Sequence, residues 1–316
     1  VALTLRAPRA QCPATHAALW TFVQAEAAAE AVRGGSLALA APHVHTSEFS
    51  FRRPSFSLQH REPFLASFLY SSVLSHSSLP RCLASVLANK LACSTLPATQ
   101  LLELFSSAYA ADPALVAAAH ADLQAVVDRD PACSAYLQAI LFFKGFQALQ
   151  CHRVAHALWS ASRAPLALAL QSRVSEAFHV DIHPGARIGP GLMLDHATGV
   201  VIGETAVVGS NCSFLHQVTL GGTGSAGGDR HPKVGNGVLV GAGVSILGPV
   251  RVGDGAKVGA GSVVLSDIPA RCTAVGVPAR VIARAEDKPG APMKLIDAAY
   301  EMDQTQSFLG DWIYII

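Results

Sequence analysis

The sequence predicts an α+β protein: a bundle of helices followed by a parallel β-solenoid of six-residue repeats. Three observations carry this. Between residues 180 and 269 apolar residues recur with a step of six: Ile182, Ile188 and Leu194; then Ile202, Val208, Phe214 and Leu220; then Val234, Val240, Ile246, Val252, Val258 and Val264. The residue after an anchor is often glycine, as at Gly189, Gly203, Gly209, Gly221, Gly235, Gly241, Gly253 and Gly259. Upstream, residues 62–171 fall into segments opened by proline and patterned with helical spacing. A step of six misses the 3.6-residue face of a helix, and glycine at this density weakens any helix. It fits a prism in which each hexad forms one flat facet and three facets form a coil. Coils then stack at strand spacing, about 4.8 Å, and the inward anchors form continuous columns.

The register breaks twice. Leu194 to Ile202 is eight residues, so two extra residues bulge out within Asp195, His196, Ala197, Thr198 and Gly199. Leu220 to Val234 is fourteen, so a longer loop leaves the prism between Gly221 and His231. A purely structural solenoid needs neither insertion. Both carry His and Asp, and the second adds Arg230, so these insertions are read as the active site.

Charged residues make up only 14% of the 316 and apolar ones 51%, which points to surface consumed by self-association. The length is a soft prior for about two domains. A formal net charge of +1 offers nothing for nucleic acid. No apolar run approaches the roughly 20 residues of a membrane span. The seven cysteines are scattered, odd in number and without a C-x-x-C, which argues for a reducing compartment and against a structural metal cluster. The chain opens on Val1 rather than Met, which leaves any targeting peptide out of sight.

In chain order, residues 1–61 read as an extension with one helix over 14–32 and an inserted loop over 34–61, rich in Gly, Pro, Ser and His. His43 and His45 in it read as solvated loop residues. Residues 62–179 read as a helical domain of roughly six helices, starting near Pro63, Pro80, Pro97, Pro113, Asp130-Pro131 and Pro165. The stretch 136–162 reads as the longest helix, with Gly145 as a packing or kink point. The bundle is expected to cover the open edge of the first coil. Residues 180–284 form the solenoid, with 275–283 as a last partial coil, and 285–316 form a tail ending in Asp311, Trp312, Ile313, Tyr314, Ile315 and Ile316.

The strings DIHPGARIGPGLMLDHATGVVIGETAVVG, VTLGGTG and GDRHPKVGNGVLVGAG, with DLQAVVDRDPA and KGFQALQCHRVAHALW upstream, resemble the serine O-acetyltransferases of cysteine synthesis. The likeness runs from about residue 62 to 284; the 34–61 insertion and the 285–301 region depart from it. It implies a left-handed parallel β-helix, a homotrimer commonly paired into a hexamer, and active sites between adjacent prisms. It also implies direct transfer from acetyl-CoA to the L-serine hydroxyl in a ternary complex, with acetyl-CoA as co-substrate and no metal.

By this resemblance His196 is the general base and Asp181 the carboxylate that orients it. Asp130 and Asp195 hold the serine ammonium, and Arg230 and His231 hold its other end. Gly222, Thr223, Ala242 and Ala260 match positions that contact CoA. Lys233 and Lys257 are further candidates for its phosphates. His216 lies one coil above His196 and His183 at another corner; neither is assigned a role. An imidazole suits base work because it titrates near neutrality, and positioned bases typically contribute about 10²–10⁴-fold. Arginine suits a carboxylate because its planar fork binds both oxygens.

The terminal Tyr314, Ile315 and Ile316 resemble the family tail that enters the active site of O-acetylserine (thiol)-lyase, so that enzyme is the expected partner. Family members are often inhibited by cysteine at the serine site, which is expected here too. The expected setting is cytoplasmic, cytosol or plastid stroma, with no membrane or nucleic-acid partner. Two other readings compete: a zinc enzyme on the same prism, for which the spacing of His183, His196, His216 and His231 is wrong, and a regulatory subunit, which is compatible with catalysis.

Overall fold

Proline sets where several helices begin, because the first turn leaves its N–H groups free in any case. In the computed structural model, which describes residues 15–33, 64–224 and 228–284, Pro80 lies in the first turn of α3 (Leu79–Leu91). Pro113 opens α5 (Pro113–Arg129), Pro165 lies in the first turn of α8 (Ala164–Phe178), and Pro97 precedes α4 (Ala98–Ala111). Asp112 caps α5 by accepting a hydrogen bond from the Ala114 amide at 2.9 Å. Helix α1 spans His16–Arg33, and α2 (Phe64–Leu69) continues into one wide turn, Tyr70–Leu74. The expected insertion with His43 and His45, and the tail with Tyr314, Ile315 and Ile316, lie outside the described residues.

Two sequence expectations in the bundle are corrected. Asp130-Pro131 does not start a helix. Asp130 is the residue that ends α5, and its Oδ1 accepts from the Ala132 amide at 2.8 Å, closing a turn. The next helix, α6, starts at Tyr136. The long helix over 136–162 is instead two, α6 (Tyr136–Phe142) and α7 (Lys144–Ser160), broken at the extended backbone of Phe143. Residues 64–178 thus contain seven α-helices rather than six. Their shared core includes Leu19, Val73, Leu87, Phe105, Leu123, Ile140, Phe146 and Leu149, all fully buried.

After α8 the chain turns through His179 in the left-handed region (φ 56°) and enters the solenoid. Three parallel sheets form its walls. Sheet 1 stacks β1 (Val180–Ile182), β4 (Val200–Ile202), β7 (Thr219–Gly221), β10 (Ser245–Leu247) and β13 (Val263–Val264). Sheet 2 stacks β2 (Arg187–Ile188), β5 (Val207–Val208), β8 (Lys233–Val234) and β11 (Arg251–Val252). Sheet 3 stacks β3 (Met193–Leu194), β6 (Ser213–Phe214), β9 (Leu239–Val240), β12 (Lys257–Val258), β14 (Cys272–Val275) and β15 (Arg280–Arg284). The anchors face one another coil upon coil: Ile182, Ile202, Leu220, Ile246 and Val264 in sheet 1. All thirteen anchors are buried except Ile188, which is half-buried against the same core. The fold is a left-handed parallel β-helix of about 5 turns.

The expected last partial coil over 275–283 is corrected: β15 runs antiparallel to β14, so the chain reverses and closes that end as a hairpin. At the other end the bundle covers the first coil. Asp122, fully buried on α5, binds Arg153 of α7 at 2.6 and 2.7 Å. The same carboxylate accepts from the Gly191 and Leu192 amides at 2.8 and 3.1 Å, while Arg153 donates to the Ile188 and Gly189 carbonyls at 3.1 and 3.0 Å. The buried charges therefore stitch two helices to the prism's first corner.

Candidate active site

The bulge leaves the prism where sheet 3 passes to sheet 1. Its entry is fixed by the Asp195 amide, which donates to the Phe214 carbonyl at 2.8 Å, and its exit by the Gly199 amide, which donates to the His179 carbonyl at 2.8 Å. Between them His196 (φ 55°) and Ala197 (φ 60°) both take the left-handed conformation. Side chains other than glycine adopt it at a cost of roughly 1–2 kcal/mol each, so something must hold it. The start of α7 does so: Lys144 donates to the Thr198 hydroxyl, and the bare Gly145 lies on Leu194 and Ala197. A Cβ on Gly145 would sit 2.1 Å from the Leu194 carbonyl oxygen and 3.1 Å from the Ala197 Cβ.

His196 projects from this bulge with 61% of its side chain exposed. Its Nε2 lies 3.7 Å from Asp195 Oδ1, and its ring meets the His216 ring edge-on at 5.8 Å. Burial pushes the Asp195 carboxyl above its usual range; the His196 ring pulls it down, and the neighbouring Asp130 carboxylate pushes it up again. Asp195 of the prism thus feels the charge of Asp130 of the bundle, with His196 beside it. Two carboxylates sharing a site with an imidazole form a receptor for a cation and a proton acceptor side by side.

Asp181 lies at the same end of sheet 1, but its Oδ1 accepts from Gln171 at 2.6 Å. A hydrogen bond or ion pair to His196 is not among those of the described residues; the carboxylate that faces the ring is Asp195.

The second insertion leaves where sheet 1 passes to sheet 2, so Arg230 and His231 lie at the far edge of sheet 1 from His196. His231, read from the sequence as a substrate-holding residue on the long loop, is buried. It is 6% exposed, and a Cβ on Gly203 would fall 2.0 Å from its Nε2. Thr205 organises it: Oγ1 accepts from the Arg230 and His231 amides, both at 3.2 Å, and contacts His231 Nδ1 at 2.8 Å. The Thr205 amide also donates to Nδ1 at 3.3 Å, which puts the ring proton on Nε2. Burial, with Arg230 and Lys233 adding to it, holds this imidazole below its usual pKa, so it is neutral at pH 7. Lys233 is bound to Asp229 and to the Thr205 carbonyl, which sets it as a brace of the loop base.

A cleft of about 410 Å³ opens beside this corner, lined by Trp159, Gly185, Arg187, Glu204, Thr205 and Asp229. The other cavity, about 330 Å³ between α4 and α8, lies away from both insertions. Among the described residues no cluster of three or more His, Cys, Asp or Glu could hold a metal ion.

The positions matched to CoA contacts have a simple geometry. Leu194, Phe214, Val240 and Val258 pair coil on coil, so the residues two further on share one corner: His196, His216, Ala242 and Ala260. The Gly243 amide donates to the His216 carbonyl at 3.0 Å and the Gly261 amide to the Ala242 carbonyl at 2.7 Å, which continues the column. Above two imidazoles the corner thus carries only the methyl groups of Ala242 and Ala260. Gly222 is near the other edge, where a Cβ would lie 3.0 Å from His231 Nε2, and Thr223 packs by Gly248. Sequence reasoning passed over Thr205, Lys144 and Arg129, although each lies within a resembling string: GETA, KGFQALQ and DRDPA.

A six-residue-repeat prism with polar insertions at two neighbouring corners defines an acyltransferase of the hexapeptide type. A family model described as bacterial transferase hexapeptide (six repeats) matches residues 231–266, and one described as serine acetyltransferase, N-terminal, matches residues 51–151. A rice (Oryza sativa subsp. japonica) relative named probable serine acetyltransferase 5 is 61% identical over 251 residues, 79% of this chain and 73% of the relative. A solved structure of soybean serine acetyltransferase complexed with serine superposes with a TM-score of 0.75 at 54% identity, covering 85% of this chain and 100% of that one. A serine acetyltransferase in complex with cysteine gives a TM-score of 0.78 at 42% identity, over 92% and 99% of the two chains. This chain belongs to the serine acetyltransferase family.

Proposed function

We propose that the chain transfers acetyl from acetyl-CoA to the L-serine hydroxyl by direct attack, with His196 as general base. The observation that carries this is the exposed His196 imidazole held on a strained bulge 3.7 Å from the Asp195 carboxylate, which also feels the charge of Asp130 from the bundle. Asp130 and Asp195 take the serine ammonium. His196 takes the hydroxyl proton as the oxygen attacks the thioester carbonyl, then returns it to the leaving thiolate. Asp181, whose second oxygen is not used by Gln171, steadies the imidazolium. The Ala242 and Ala260 corner receives the thioester arm, with Gly222 and Thr223 on the opposite wall.

Arg230 and His231 lie across sheet 1 from His196, so they serve the bulge of a neighbouring copy, Arg230 clamping the serine carboxylate and His231 donating through Nε2. This supports a homotrimer with sites between prisms, paired into a hexamer through the helical halves. Cysteine competes with serine at this site, a reading supported by likeness to a protein solved with cysteine. The terminal Tyr314, Ile315 and Ile316 dock on O-acetylserine (thiol)-lyase; deleting them leaves acetyl transfer and abolishes co-purification, and persistent association refutes the docking. Six free cysteines among the described residues support a reducing setting, cytosol or plastid stroma. His196→Ala tests the base: kcat falls about 10²–10⁴-fold while the oligomer persists. Retained turnover sinks the assignment.

A further inference from the structure

Asp130 has a placement problem. It ends α5: its amide makes a last helical hydrogen bond to the Val126 carbonyl at 2.9 Å and its Oδ1 accepts from the Ala132 amide, so its position follows that of the end of the helix. It belongs to the bundle, while Asp195 and His196 belong to the prism. The gap between the two carboxylates is therefore set by how the two bodies dock, and a shift there changes the receptor without touching any residue in it.

The residue before Asp130 meets this need. The Arg129 guanidinium reaches into the corner where sheet 2 passes to sheet 3. Its Nη1 donates to the Asn211 carbonyl at 3.1 Å, the Cys212 carbonyl at 2.8 Å and the Ser213 hydroxyl at 3.0 Å; its Nη2 donates to the Gly191 carbonyl at 2.9 Å. These acceptors come from two successive coils. Gly191 (φ 78°) and Asn211 (φ 59°) are both left-handed corner residues, one stacked on the other. Their carbonyls turn out of the ladder there, toward the helix.

From this corner the path to the site is short and has no slack. The chain runs from Gly191 through β3 to Asp195, and β6 runs beside it toward His216. The Met193 amide donates to the Cys212 carbonyl at 3.0 Å and the Asp195 amide to Phe214 at 2.8 Å, so the two strands move together. At one end of this rigid pair is Arg129; at the other are Asp195, His196 and His216. On the helix side only one peptide bond separates Arg129 from Asp130, whose turn is closed on Ala132 and by the Cys133 amide donating to the Asp130 carbonyl at 3.1 Å.

We infer that Arg129 is a positioning residue for the serine half of the reaction: its four-acceptor clamp on the 191 and 211–213 corner fixes Asp130 against Asp195. The inference rests on the reading of Asp130 as an ammonium ligand. Only arginine fits, since a planar fork reaches acceptors on two coils at once, whereas a lysine ammonium is a single point on a flexible stem. The acetyl-CoA corner lies along Ala242 and Ala260, on higher coils that the clamp does not touch.

The test compares Arg129→Gln, Arg129→Lys, Asp130→Asn and Arg173→Gln in the full chain, by steady-state kinetics and gel filtration. Arg173 is the control: it too clamps backbone carbonyls, Leu91 at 2.7 Å and Ala92 at 3.4 Å, but both lie at the end of α3, within the bundle. Arg129→Gln raises KM for serine by about tenfold to a hundredfold and leaves KM for acetyl-CoA within about twofold, the range that a misplacement of about 1 Å can cost. Arg129→Lys recovers part of the loss, and Arg173→Gln leaves both KM values unchanged. A purely structural role for Arg129 predicts instead an equal fall in active enzyme for both substrates. If Asp130→Asn raises KM for serine and Arg129→Gln does not, the clamp is refuted and the ligand reading stands. If Asp130→Asn leaves KM for serine unchanged, the ligand reading falls and takes the clamp with it.

Discussion

Gly145→Ala isolates what the helical bundle does for catalysis. In an ordinary helix this exchange gains about 1 kcal/mol, because glycine is the poorer helix former. Here the added Cβ falls 2.1 Å from the Leu194 carbonyl oxygen and 3.1 Å from the Ala197 Cβ. Non-bonded heavy atoms prefer about 3.5 Å, so α7 and the bulge must separate by about 1 Å or more. Overpacking of this kind costs typically about 1–3 kcal/mol, which the propensity gain offsets in part. The net change in stability is thus small, about 0–2 kcal/mol. The displaced atoms, however, bracket Asp195 and His196, and an error of about 1 Å in a reacting group can cost about 10²-fold in rate. Thermal unfolding together with kcat should therefore show a folded, oligomeric variant with kcat reduced by about one to two orders of magnitude. A kcat within about twofold of the parent would refute the view that α7 fixes the bulge.

Two other substitutions probe the docking of the helices. Asp122→Ala leaves Arg153, 8% exposed, without its charge partner, and should destabilise the chain by about 3–5 kcal/mol in thermal or denaturant unfolding; a change under about 1 kcal/mol would mean that water or another acceptor replaces the carboxylate. Glu26 of α1 is raised from 4.5 to about 7 by burial, against the pull of the Leu137 and Tyr136 amides at the start of α6. Its folded pKa lies above its unfolded one, so its contribution is full below about pH 4.5 and is lost as pH rises toward 7. That change is of order 3 kcal/mol at most. Glu26→Gln should flatten it: the parent loses stability relative to the variant as pH rises through that window, and parallel pH profiles would exclude Glu26 as the group responsible.

How much of this could be read from sequence differs by element, for physical reasons. The prism was legible because its period belongs to the backbone: a six-residue facet repeats whatever surrounds it, and the thirteen anchors reappear in the three columns. Both insertions were legible as breaks in that period. The helices were legible where proline marks a first turn, as at Pro80, Pro113 and Pro165. Asp130-Pro131 misled because a capping Asp before proline suits a turn that ends a helix as well as one that begins another. The break at Phe143 was half legible: Gly145 reads as a packing or kink point, and it does lie flat on the prism, but the end of α6 just before it has no mark of its own. The burial of His231 was invisible for the same reason, since Gly203 and Thr205 hold it from an earlier coil.

These cases share a cause that bears on how the site works. A solenoid is stiff along its axis and offers few places to hold a strained segment, because each facet answers only to its neighbours above and below. The bulge at His196 has two consecutive residues in the left-handed region, and the coil above supplies only part of its support. The remainder comes from outside the repeat, from Lys144 and Gly145 at the start of α7. The second insertion solves the same problem differently, by packing His231 down over Gly203 and tying Arg230 and His231 to Thr205. One edge of sheet 1 therefore depends on the helical bundle and the other on the prism itself. Disturbing the bundle should loosen His196 and Asp195 while leaving the Arg230 corner intact, so defects of the two kinds can complement each other only if each site is built from two copies of the chain.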